Sequence, residues 1–143
     1  MKGMSLIVKT MTRLLLPFIL LFGAYLMLHG NISHGAGFVG GAVIAMGFAL
    51  LIFAHGRETT AALITAARAS FVMYLGLILF LAAGVAGMIY GTGFLAILAP
   101  EGIPFELQGS GTLLLLNILL CLAAAGALVA AFFGFVSFKS YRE

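Results

Sequence analysis

The chain has no aspartate, no tryptophan and one cysteine in 143 residues, and only 8% of its residues are charged. A water-soluble globular domain carries about 25% charged residues. So little charge cannot cover a water-facing surface on a chain that is 64% hydrophobic. The solvent for most of the molecule is therefore lipid or other membrane protein. The lone Cys121 excludes an intrachain disulfide and, lying in an apolar run, reads as a small buried side chain. The net charge of +3 comes from basic residues scattered at segment ends. With no stripe or patch among them, a nucleic-acid surface is excluded. No polar stretch is long enough for a second domain. The apolar runs lack the alternation of a membrane barrel, which excludes strands as spanning elements.

What is present is length of apolar run. Residues 14–54 carry no charge, about twice what one spanning helix needs. His29–Gly41, HGNISHGAGFVGG, interrupts that run and holds five of the nineteen glycines, which suit a sharp reversal. The fold class is thus all-α, a single membrane domain over 1–143 with four spans at about 10–28, 37–54, 70–90 and 112–135. Pro17 falls near the start of the first span, where its missing N–H costs little if the helix begins nearby and otherwise kinks the first turns. The basic leader and Leu-rich run also fit a secretory signal peptide, but no A-x-A site follows and three more apolar runs do. Thr59 and Thr60 can cap a new helix over Ala61–Ala69, either a short interfacial helix or an extension of the next span.

With four spans, Lys2, Lys9, Arg13, Arg57, Arg68, Lys139 and Arg142 share one side, and Glu101 and Glu106 lie on the other with no basic residue. That partition places both termini in the cytoplasm. Small residues recur every fourth position: Gly37, Gly41, Ala45 and Ala49 in span two, Ala83, Gly87 and Gly91 in span three, Gly126, Ala130 and Gly134 in span four. In lipid, such stripes let helices approach closely. Four helices satisfy only some of these faces internally, so partner subunits are expected.

The candidate chemistry is sparse. Gly35–Gly40, G-A-G-F-V-G, matches a dinucleotide-binding pattern but follows a membrane span and not a strand, and no GK[ST] follows it. The sequon Asn31-Ile32-Ser33 sits too close to the membrane to be a good acceptor. His29 and His34 flank the turn while His55 falls on the opposite side, a poor metal set without Cys or Asp nearby. No Asp, Glu, Lys or Arg stands centrally in any span, although ion pathways usually use such residues. His34, Glu101, Glu106 and Asn117 are the candidate ion-path polar groups. Asn117 reads first as a bond to a neighbouring helix. No catalytic residue, metal site or cofactor is expected.

The turn resembles the motif of the MnhB family, the B subunit of Mrp-type multisubunit sodium/proton antiporters, roughly G-H-x-x-P-G-G-G-F-x-G-G after a Leu-rich span. Here it reads Gly30-Asn31-Ile32-Ser33-His34-Gly35-Ala36-Gly37-Phe38-Val39-Gly40-Gly41, with His29 before it. Residues 6–10 and 13–17 also look like the family's lead-in to that span. Asn31 stands where the family usually has His, His34 where it has Pro and Ala36 where it has Gly, so no role of the usual histidine is carried over. The resemblance implies a non-catalytic, multi-pass subunit in a prokaryotic cell membrane, braced among large proton-translocating subunits and other small ones. It would help form or brace a sodium pathway, with Na+ and H+ the ions moved. Archaeal membrane-bound hydrogenases and sulfane sulfur reductases carry a similar module. Nothing in the residues separates these settings.

Overall fold

The structure, a computed structural model, describes residues 4–31, 35–62, 64–89 and 112–142. Helix α1 spans Leu6–Leu28 and runs into a 3-10 turn, His29–Asn31. Helices α2 (Ala36–His55), α3 (Arg57–Ala61), α4 (Ala66–Ile89) and α5 (Thr112–Arg142) follow. Four of these are long and apolar enough to cross a membrane, and among the described residues there is no strand. The loop expected over Gly91–Gly111, with Glu101 and Glu106, lies outside the described residues, as do Ser33 and His34.

Packing follows the order α1, α2, α5, α4, each helix seated on the next. The last helix in sequence is thus inserted between the second and the fourth. Half of the α2 span is buried inside the chain, against 11% of α1 and 17% of α4. The outer helices turn Phe18, Leu21, Phe71 and Ile78 outward. Exposed apolar faces of this kind suit a hydrocarbon solvent, where side-chain apolarity does not draw helices together and close backbone contact does.

Three local features differ from the sequence reading. Helix α1 begins at Leu6, so Pro17 lies inside the helix and not in its first turns. It supplies no N–H to the Arg13 carbonyl. The 61–69 segment is not one helix: Ala61 ends α3, while 66–69 extend the next span as the first turn of α4. Thr60 belongs to α3, where its buried hydroxyl donates to the carbonyls of Gly56 at 3.0 Å or Leu51 at 3.3 Å. Thr65 performs the capping instead, its Oγ1 accepting the Arg68 N–H at 3.3 Å at the start of α4. Gly56 separates α2 from α3 at φ +87°, a left-handed conformation that glycine adopts without a Cβ penalty.

The buried core gathers at one end of the molecule. Ala45, Ile52, Ala69, Val129, Phe133 and Val136 form it, with Ile64 and Phe48 packed against them. The Met4 N–H donates to the Ala54 carbonyl at 3.0 Å, which ties the start of α1 to the end of α2. The helix ends carrying Lys9, Arg13, Arg57, Arg68, Lys139 and Arg142 therefore lie at the same end of the molecule as this core.

Candidate functional site, a glycine junction around Asn117

At the opposite end the chain reverses between α1 and α2, and α5 begins beside the reversal. His29 closes α1, its N–H donating to the Tyr25 carbonyl, and its ring stacks on Tyr25 with centroids 4.7 Å apart. Gly35 caps α2 at φ +82°. A Cβ there would meet nothing within 4 Å, so Gly35 is required by its backbone conformation and not by space.

The other glycines are required by space. Gly30 faces the side chain of Asn117, and a Cβ added to Gly30 would overlap its Cγ and Nδ2. A Cβ on Gly37 would lie 2.6 Å from the Asn117 carbonyl oxygen and 2.8 Å from its Oδ1. Asn117 is thus clasped between the turn and the first turn of α2. It is half-buried.

Gly40 and Gly41 are neighbours in sequence but serve different helices. A Cβ on Gly40 would stand 2.8 Å from the Gly23 carbonyl oxygen of α1. One on Gly41 would stand 2.5 Å from the Cys121 carbonyl oxygen of α5. Consecutive helical residues point about 100° apart, so a glycine pair gives α2 close approach on two faces at once. Ala45 and Ala49 continue the face toward α5, both buried. Gly47 continues the face toward α1, opposite Leu16 and Ile19. Phe38 is exposed beside them.

On the far side of α5, Gly126 lies against Ala69 and Met73, and Gly76 against Leu119 and Ala123. Gly87 is buried in α4, and Ala130 is half-buried against the core. Gly134 departs from the expected stripe: a Cβ there would meet nothing within 4 Å. Gly76 and the Gly40–Gly47 face escape a search for small residues every fourth position, because each is one member of a face completed by larger side chains.

Among the described residues, no three His, Cys, Asp or Glu side chains come together as a metal set. His29 lies beside the start of α2 and His55 at its end, about 30 Å apart at 1.5 Å per residue.

Apolar spans and small-residue contacts between them define a multi-pass α-helical membrane protein. Comparison with known proteins carries this further. A family model described as a domain related to the MnhB subunit of Na+/H+ antiporter matches residues 7–137, and the chain belongs to that family. The B subunit of the Na(+)/H(+) antiporter of Bacillus subtilis is similar, 36% identical over 94 residues, covering 66% of this chain and 65% of that protein. A putative antiporter subunit, mnhB2, of Staphylococcus saprophyticus is 39% identical over 54 residues, 38% of each chain. The aligned stretch thus spans less than two thirds of either relative. With bacterial relatives and four apolar helices, this is a multi-pass protein of a prokaryotic plasma membrane.

Proposed function

We propose that the chain is a non-catalytic membrane subunit of a multisubunit Na+/H+ antiporter complex, bracing or helping to line the sodium pathway. The observation that carries this reading is the family match over residues 7–137, which runs through the whole glycine junction. A bracing role suits the architecture. Glycines of α2 stand at its close contacts with both α1 and α5, Gly40 against Gly23 and Met27 and Gly41 against Cys121 and Ala124. A subunit of this kind would leave proton transfer to larger partners. The exposed faces of α1 and α4 offer surfaces for them and for the small subunits. Both termini would face the cytoplasm, since the helix ends with basic residues gather at one end.

Purification of the native assembly in mild detergent tests the reading. Several other membrane proteins should accompany the chain, and antiport in reconstituted vesicles should require all of them. A stable homo-oligomer with full transport activity would overturn it. Iron–sulfur or nickel–iron partners in the same preparation would move the chain to a hydrogenase-type complex, a reading that the antiporter relatives do not favour. Single cysteines at positions 2 and 142, in a Cys121→Ala background, should react with an impermeant maleimide only in permeabilised or inverted membranes.

A further inference from the structure

A second site lies at the basic end, away from the Asn117 junction. Where α1, the end of α2 and α3 meet, a half-open cleft of about 200 Å³ is lined by Arg13, Leu16, Leu51, His55, Thr59 and Thr60. Its walls are mainly carbon. Most of its polar groups have no partner among the described residues. There, His55 Nδ1 is buried with no hydrogen-bond partner. Arg13 makes no ion pair or side-chain hydrogen bond among the described residues. Thr59 is exposed and likewise unengaged, whereas the Thr60 hydroxyl is held by the Leu51 and Gly56 carbonyls.

The level of the cleft is set by the sequence. Arg13 immediately precedes the charge-free run and His55 immediately follows it on the adjoining helix. The cleft therefore sits where hydrocarbon gives way to headgroups, and Arg13 can extend its charge to that boundary. A guanidinium presents a fork of donors matched to phosphate oxygens. Basic pockets between spans on the cytoplasmic side are suited to anionic headgroups. The cleft joins these polar groups to an apolar floor. Its carbon floor at Leu16 and Leu51 suits an acyl chain and leaves a free phosphate or a partner's carboxylate without a use for it.

We propose that this cleft binds an anionic phospholipid, with the phosphate on the Arg13 guanidinium, the Thr59 hydroxyl and His55 Nδ1–H as further donors, and the start of one acyl chain against Leu16 and Leu51. The lipid would pin α1 to the α2–α3 corner.

The test is thermal unfolding of the full chain, with the subunits that accompany it, in zwitterionic detergent. Phosphatidylglycerol, phosphatidylcholine of the same chains and inorganic phosphate are titrated separately. Phosphatidylglycerol should raise the midpoint by mass action, and the other two should not. Arg13→Gln should require about tenfold or more phosphatidylglycerol for the same rise. Arg68→Gln, an exposed cation outside the cleft, should respond as the native chain does. Leu16→Trp, which fills the floor without changing charge, should also abolish the rise, and it decides the matter if Arg13→Gln fails to fold. An equal rise with phosphatidylcholine, a full rise with phosphate alone, or an unchanged response in Arg13→Gln would each overturn the proposal. So would the absence of any lipid response, the result expected if a partner's side chain fills the cleft.

Discussion

Asn117 of α5 is seated against the backbone of Gly37 at the start of α2, where an added methyl would stand 2.6 Å from the asparagine's carbonyl oxygen. The same asparagine meets Gly30 through its side chain. One residue therefore registers α5 against both halves of the reversal, by main chain and Oδ1 at Gly37 and by side chain alone at Gly30.

That difference predicts an asymmetric rescue. Gly30→Ala and Gly37→Ala should each destabilise the chain by about 1–3 kcal/mol through overpacking. Adding Asn117→Ala should recover part of the loss at Gly30, since the overlap there is with Cγ and Nδ2. It should recover little at Gly37, where the nearest atom is a backbone oxygen that no side-chain change removes. Unfolding midpoints of the single variants and their doubles in detergent measure this coupling.

Gly41→Leu should lower the amount of assembled protein in the membrane several-fold, because the side chain would enter the Cys121 carbonyl and Ala124 Cβ. Gly134→Leu should leave it unchanged, since that position opens onto empty space within the chain. Blue-native electrophoresis of membranes carrying each variant separates the two outcomes. A loss at Gly134 equal to that at Gly41 would point to a partner subunit at that face.

Gly35→Ala should cost about 1–2 kcal/mol despite the open space around it, because the cost is that of a left-handed φ in an L-residue. Gly35→Asn should cost less, as asparagine visits that region more readily. Chemical unfolding of the purified chain distinguishes the pair.

Thr65→Ala should remove the N-cap of α4 and cost about 1 kcal/mol. Thr59→Ala should cost no comparable amount, because α4 does not start there. Hydrogen exchange over residues 66–69 reads the cap directly and should rise only in Thr65→Ala.

Much of this protein was legible in its sequence because lipid imposes a simple rule. A span must be long, apolar and internally hydrogen-bonded, so four helices and a reversal near Gly35 follow from composition and spacing. The Gly37–Gly41 step was legible too, since one helix face repeats at nearly every fourth residue. The second face of α2 was not. Gly40 and Gly47 meet α1 beside the larger Ile44, and a stripe that mixes sizes has no signature. At Gly134 the period continues, but among the described residues of the chain nothing lies opposite it.

What the sequence by itself determined is the medium, the number of spans, the gathering of basic residues at one set of helix ends and the reversal at His29–Gly41. Each follows from local chemistry: hydropathy, charge and the conformational freedom of glycine. Only the tertiary structure decided that α5 enters between α2 and α4, that Asn117 is clasped by Gly30 and Gly37, and that Arg13 and His55 share a cleft. In a bilayer the choice of helix neighbours depends on how closely particular backbone atoms can approach. That is a property of pairs of surfaces distant in sequence, which no single stretch of the chain contains.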